Sequence, residues 1–182
     1  MKKIPMPVRF VLLALALPFV AHAQVPLFNQ DPRGTVPEEV ETFNEQQVTF
    51  PTAPKERDLL PFDPEHRTSM KFYVDAASIS VGADAVVRYT LVVTGDGETR
   101  NVMYEGLRCK TGEKKTYGFG QRDDTWSKAR DPQWESIRYD VPRLTLARNF
   151  LCPLKGPIQT AKEGVEALRN GIHPQVQQFK PN

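Results

Sequence analysis

The sequence predicts an α+β fold: an antiparallel β-meander of about five strands with a C-terminal helix, preceded by a proline-rich N-terminal arm. Three observations lead to this prediction. Apolar and polar residues alternate with a period of two in runs between residues 70 and 120, turn-forming residues separate these runs, and apolar residues with helical spacing follow near the C-terminus. Strands that come first in a chain, with helices after them, are typical of an α+β domain.

The strand segments follow one another with short connections, as a meander requires. The strongest alternation places Val87, Tyr89, Leu91 and Val93 on one face. An Asp-Gly pair comes directly after it and favours a hairpin to the next segment. The predicted extended segments are residues 70–75, the short piece 78–81, and then 87–93, 100–109, 115–120 and a short strand at 134–137.

The C-terminal helix is predicted from the spacing of Ala161, Val165 and Leu168. Thr160 is in position to cap it, with Glu163 at the capping-box position. Gly171 is expected to stop this helix and Pro174 to prevent its continuation, and His173 lies at its end, where a cationic group favours the C-terminal dipole. For residues 143–151 the periodicity leaves helix and strand open. We place the domain at residues 67–175 and a flexible tail at 176–182.

Residues 1–23 have the pattern of a cleavable signal peptide. Three basic residues precede an apolar run over residues 10–20, which is shorter than the roughly 20 residues that span a bilayer. Ala21 and Ala23 fit the small-x-small rule, so cleavage is expected before Gln24. No cysteine lies near this site and no second long apolar run follows. We therefore expect a periplasmic protein with no lipid anchor and no membrane span.

The next residues, 24–66, form the predicted proline-rich arm. Seven prolines fix φ and remove backbone donors, so regular structure is not expected there. The arm also carries Phe43, Phe50 and Phe62, and a segment this apolar does not have the composition of a disordered one. We expect it to pack across the domain as a belt.

Charge and cysteine usage narrow the function classes. Removal of the signal peptide takes away three basic and no acidic residues, so the formal net charge falls from +2 to about −1. Nucleic acid is therefore not an expected partner, because it demands a basic excess. Cys109 and Cys152 are the only cysteines. In an oxidising compartment they predict one disulfide, and the alternative, a redox or catalytic thiol, has no C-x-x-C motif and no evident cationic cluster around both sulfurs.

No catalytic or metal-binding motif stands out. His66 and His173 are isolated, without the spacing of a zinc site, and no cofactor is expected. A carboxylate pair for glycan hydrolysis could come from four acids, Glu105, Glu113, Asp123 and Asp124, but sequence cannot set their separation in space. The absence of a motif favours a binding protein over an enzyme.

Aromatic and arginine residues cluster along the chain and are the predicted binding surface, since such residues are common at protein interfaces. The alternative is that both tryptophans belong to the core. The predicted surface residues are Tyr104, Arg108, Arg122, Trp126, Trp134 and Tyr139.

Several ordered segments resemble one exported bacterial family, that named after cryptic neisserial protein one. The similarity covers roughly residues 55–175. It is carried by the segments 72–75, 78–84, 87–92 and 101–109, by Trp126 and Trp134, and by the segments 150–153 and 171–174. The resemblance implies an envelope protein with no assigned activity and no catalytic residues to carry over. It also implies that the family's paired cysteines correspond to Cys109 and Cys152. Many members look like lipoproteins, and this chain departs from them because it lacks a cysteine at the cleavage site.

Three hypotheses follow from the sequence. The first is a non-catalytic, protein-binding adaptor domain of the cell envelope. The second is a module that binds peptidoglycan or another envelope glycan through residues 126–139. The third is a carboxylate-dependent glycan hydrolase.

Overall fold

The computed structural model describes residues 43–95, 97 and 99–179. The predicted signal peptide with its cleavage site (Ala21, Ala23, Gln24), the first part of the arm and residues 180–182 lie outside the described residues. The strands are β1 (Leu59–Phe62), β2 (Lys71–Val81), β3 (Val86–Thr94), β4 (Arg100–Arg108), β5 (Glu113–Gly120), β6 (Trp126–Lys128) and β7 (Glu135–Ser136). The helices are α1 (Val141–Leu146), α2 (Ala161–Arg169) and α3 (Pro174–Gln177).

The strands form one antiparallel sheet in the order β1-β2-β3-β4-β5-β6, with β7 paired to the other end of β5. The predicted α+β meander is therefore confirmed, with seven strands where about five were expected. One of the additional strands, β1, lies within the proline-rich arm. Pro61 is tolerated there because β1 is an edge strand, where a missing backbone donor can face away from the ladder.

The two segments predicted at 70–75 and 78–81 are one strand, β2, interrupted by a bulge. Asp75 pairs with Thr90, but the next pair in the register joins Ser80 to Arg88. The Ser78 hydroxyl spans the gap: its oxygen accepts the Thr90 N–H and it donates to the Asp75 carbonyl, both at 2.8 Å. These bonds replace the ladder bonds that the bulge removes.

One face of the sheet packs on the helices. The alternation predicted on β3 puts Val87, Tyr89, Leu91 and Val93 into this core. Facing them are residues from the C-terminal part, chiefly Leu146, Phe150, Leu151, Ile158, Ala167 and Leu168. The ambiguous region 143–151 is helical: α1 continues as a π-helical turn, Ala147–Leu151, closed by a 2.7 Å bond from the Cys152 N–H to the Ala147 carbonyl.

The predicted C-terminal helix corresponds to α2. Thr160 accepts the Glu163 N–H at 3.2 Å, as a capping residue does. His173 caps α3, where Nδ1 accepts the Gln175 N–H at 3.2 Å, and its Nε2 lies 2.8 Å from the Glu163 carboxylate. Although burial acts to raise it, the pKa of Glu163 lies below its usual value because the Gln159 N–H and His173 bond to its carboxylate.

The opposite face of the sheet is contacted by residues 43–51, which we call the arm segment. Phe50 stacks on Trp126, with ring centroids 5.4 Å apart and planes at 9°, and the Trp126 indole N–H donates to the Pro51 carbonyl at 2.8 Å. Gly118 makes this packing possible, since a Cβ there would lie 2.6 Å from the Phe50 ring. The arm segment thus lies as a belt on the sheet.

A buried ion pair stands under the arm segment. Arg88 donates twice to the Asp84 carboxylate, at 2.6 and 3.1 Å, and the Gln46 N–H donates to the same carboxylate at 2.9 Å. Burial acts to raise the pKa of Asp84, but these hydrogen bonds outweigh it and hold the pKa below its usual value. The arm segment is therefore tied to the sheet by charge-assisted bonds as well as by ring contacts.

Candidate functional site

A disulfide joins Cys109, directly after β4, to Cys152, directly after the π-helical turn. The predicted pairing is confirmed. The bond holds the turn between β4 and β5 against the helical part of the chain, across a sequence separation of 43 residues. Such a disulfide fits an oxidising compartment.

A groove of about 540 Å³ opens beside this disulfide, and we call it the disulfide groove. Its size is within the range of ligand clefts, about 300–1,000 Å³. The floor is aliphatic, formed by Leu107, Ile137, Leu144 and Ala147 together with the disulfide itself. A backbone bond of 3.0 Å from the Ile137 N–H to the Gly112 carbonyl fixes one wall.

The rim of the disulfide groove is positively charged. Lys110, Arg138, Arg148 and Lys155 line it and are exposed, and none of the lining residues is Asp or Glu. Within the part of the chain that the structure describes, Arg138, Arg148 and Lys155 make no ion pair. The fifth cation of the lining, Arg108, is neutralised by Glu113 at 2.9 Å.

The turn after Cys152 is strained. Leu154 and Lys155 both have positive φ, 52° and 67°, although neither is a glycine. A non-glycine residue in this region costs on the order of 1–3 kcal/mol, and such residues cluster at functional sites. The turn leaves Leu154 64% exposed beside the disulfide groove. Strain, an exposed apolar side chain and unpaired cations therefore coincide at one place.

The predicted binding residues divide into two sets. Trp126 and the buried Tyr104 lie against Phe50 of the arm segment, while Trp134 and Arg108 lie against Phe43, with the Arg108 guanidinium 4.0 Å from the ring centroid. These four residues are brought to the sheet face that contacts the arm segment. Arg122 and Tyr139 are not. Both tryptophans are half-buried, and neither belongs to the apolar core that lies between the sheet and the helices.

Arg122 and Tyr139 are exposed in connections. Arg122 follows β5, in the turn to β6. Tyr139 is 85% exposed, and the Arg138 guanidinium lies over its ring, 5.4 Å from the ring centroid. An exposed aromatic ring beside polar groups can serve as a stacking platform.

Glu105 is the most buried of the candidate acids, with no exposed surface. It accepts from Arg143 at 2.8 and 3.2 Å and from the Tyr89 hydroxyl at 2.9 Å. Burial and this neighbouring carboxylate raise the pKa of Tyr89 well above its usual value. The arrangement is a buried ion pair that joins α1 to the sheet.

The other candidate acids have local partners or an exposed position. Glu113 is bound by Arg108 and by the Thr111 hydroxyl, and Asp123 is bound by Thr125 in the turn after β5. The pKa of Asp123 lies below its usual value because of these Thr125 bonds. Asp124 is exposed in the same turn. The described residues contain no group of three or more His, Cys, Asp or Glu that could hold a metal ion.

The disulfide groove was not predicted from the sequence, in which no cationic cluster was evident around both sulfurs. Lys110 lies next to Cys109, while Arg148 and Lys155 flank Cys152, so the disulfide gathers all three around one groove. The available signal was the presence of basic residues close to each cysteine. It becomes visible only when the two neighbourhoods are considered together.

Fold and groove define an α+β domain with a disulfide-bordered cleft. Residues 38–169 match the profile of the CNP1-like family, and the chain belongs to that family. The matched range includes both cysteines and every residue that lines the disulfide groove. No curated protein and no solved structure matches the chain. Of the helices described, none has the length and apolar character needed to cross a bilayer.

Proposed function

We propose that this protein is a non-catalytic adaptor domain of the bacterial cell envelope, working in the periplasm, that binds another protein in the disulfide groove. The observation that carries the proposal is the strained Leu154–Lys155 turn, which holds an apolar side chain in water beside a cationic cleft. Strain of this kind persists only where the surrounding structure fixes it, and the adjacent disulfide does so.

The state of the candidate acids favours binding over hydrolysis. A hydrolase needs one carboxylic acid able to give a proton and a second carboxylate at a set distance from it. Glu105 is neutralised by Arg143, and Glu113 by Arg108. Both carboxylates are thus paired with arginines of the fold, which does not favour a role for them in hydrolysis.

The proposal is tested by site-specific photo-crosslinking in intact cells. A benzophenone amino acid is placed at Leu154 of the full chain, and in a matched variant at Asp124, which is exposed in the turn between β5 and β6. We expect a discrete adduct with one envelope protein from position 154 and none from position 124. Irradiation that gives no adduct at 154, or the same adducts from both positions, contradicts the proposal.

Glycan binding is the second candidate, and the exposed Tyr139 ring favours it. Co-sedimentation of the purified chain with cell-wall sacculi tests this alternative. Binding that is abolished by Tyr139→Ala and kept by Leu154→Ser would assign the function to the Tyr139 platform. Protein that stays in the supernatant at low salt removes the candidate.

A further inference from the structure

We infer that the disulfide groove recognises an acidic peptide segment, one that carries Asp or Glu next to an aliphatic side chain. The inference rests on the proposed function and names the chemistry of the partner. It is argued from the charge of the rim, the composition of the floor and the geometry of the Leu154–Lys155 turn.

The charge of the rim selects an anion. Arg148 and Lys155 flank Cys152 in the chain, and Arg138 comes from a separate segment of the lining, residues 136–138. No carboxylate among the lining residues offsets them, so the local potential is positive although the mature chain is close to neutral. Like charges held around one cleft repel each other, and an anionic ligand relieves that repulsion while it gains the complementary charge.

The floor selects a ligand with an aliphatic part. Leu144, which is half-buried, and Leu154, which is exposed, present branched side chains above the buried Leu107 and Ile137. A ligand side chain laid against Leu144 and Leu154 would remove apolar surface from water on both partners, at roughly 25 cal/mol per Å². A polyanion without apolar groups would leave these two side chains in contact with water.

The floor also argues against a sugar or an acyl chain. None of the residues that line the groove is aromatic, so a sugar ring would find no face to stack on. A lipid acyl chain carries no charged group along its length to pair with the cations of the rim. A peptide matches the site better because it alternates charged and apolar side chains on a backbone that can hydrogen-bond.

The Leu154–Lys155 turn preorganises the site for such a ligand. The two consecutive left-handed residues turn one aliphatic and one cationic side chain out at the same edge. The disulfide and the 2.7 Å closure of the π-helical turn hold the segment before it. A site fixed in this way loses less conformational entropy on binding, which favours affinity.

The experiment uses the full chain and a random heptapeptide library displayed on phage. The same selection is run on three proteins: the wild type, an Arg148→Glu/Lys155→Glu variant, and a control with Arg122→Glu/Arg130→Glu, two exposed charges that do not line the groove. We expect the wild type and the control to enrich peptides with Asp or Glu beside Leu, Ile or Val. The groove variant should lose that enrichment.

A synthetic enriched peptide then gives the affinities. Charge reversal at 148 and 155 should weaken binding by about tenfold or more, and Leu154→Ser should weaken it as well, with little change in the control. Enrichment of basic or aromatic peptides, or of none, overturns the inference. So does tighter binding of heparin or of phosphatidylglycerol vesicles than of any peptide.

The two proposals fail separately. If Leu154 crosslinks to an envelope protein but no acidic peptide is enriched, the function stands and the acidic-peptide chemistry is wrong. If acidic peptides bind but Leu154 gives no adduct in cells, the groove chemistry stands and the adaptor function is wrong.

Discussion

The two faces of the sheet are covered in different ways. On the helix side, aliphatic residues of β3 and the C-terminal segments form one continuous apolar core. On the other side, the arm segment makes a few directed contacts: a stacked ring pair, an indole hydrogen bond and bonds to Asp84. The core on the helix side resists unfolding through its buried apolar area, whereas the arm segment is held by a few individual bonds. We therefore expect global unfolding to follow the helix side and local opening to follow the arm segment.

The largest loss of stability is expected from breaking the Arg143–Glu105 ion pair on the helix side of the sheet. Arg143→Met leaves the Glu105 carboxylate fully buried without its cation. Breaking a buried pair in this way lowers the free energy of unfolding by about 3–5 kcal/mol. Urea denaturation at neutral pH measures it.

The matched control is the double variant Arg143→Met/Glu105→Leu. Replacing both partners by apolar groups removes the unpaired charge, so most of the lost stability should return. A double variant that is as unstable as the single one would show that the pair is needed for its geometry and not only for its charge balance.

The second effect concerns the disulfide. Cys109→Ser/Cys152→Ser opens a loop of 43 residues between the sheet and the helical part. We expect a loss of about 2–4 kcal/mol, measured by thermal unfolding under oxidising conditions. Wild-type protein in the presence of a reductant is the control and should approach the variant. An unchanged melting temperature would mean that the bond contributes nothing to the fold.

The third effect is a pH-dependent loss of stability on the sheet face under the arm segment, where Asp84 lies. The folded-state pKa of Asp84 is depressed, so its contribution is complete above the ordinary carboxyl pKa of about 4 and is lost as the pH falls through the folded value. Asp84→Asn should cost about 1–3 kcal/mol at pH 7 and progressively less below pH 4 or so. Urea titrations of both proteins at several pH values measure this difference. Glu166→Gln, exposed on α2, is the control; a pH-independent deficit in Asp84→Asn would refute the assignment.

The smallest effect isolates one bond of the arm segment. Trp126→Phe keeps a ring against Phe50 but removes the donor to the Pro51 carbonyl, which is worth about 0.5–1.5 kcal/mol. Hydrogen exchange should speed up in residues 43–51 and stay unchanged in β3. Trp134→Phe is the matched control, because the Trp134 indole N–H is buried without a partner among the described residues. Equal acceleration in both variants would contradict the comparison.

The difference between the faces also explains which features the sequence could predict. The helix side follows from local rules: the alternation on β3, the Thr160 cap and the apolar spacing of α2 are all written within short windows. The strand β1 was missed because Pro61 argues against a strand unless its position at the edge is known. The disulfide between Cys109 and Cys152 was predictable because the sequence contains only these two cysteines.

The candidate site was harder to predict because it depends on contacts that are distant in the chain. Phe43 and Phe50 were recognised as too apolar for a disordered arm, but their partners on β4, β6 and the loop before β7 follow only from the folded sheet. The disulfide groove draws its cations from two segments that meet only through the disulfide. The left-handed Leu154 carries no local signal at all, since leucine is not a residue that favours positive φ.

The short outer strands bear on how readily the sheet can pair with a neighbouring chain. In the part of the chain that the structure describes, β1 at one border has four residues and contains Pro61, while β6 and β7 at the other have three and two. A long bare border invites a neighbouring chain to add its own strand, which is the first step toward aggregates. Outer strands this short, with a proline in one of them, offer a neighbouring strand few backbone groups to pair with.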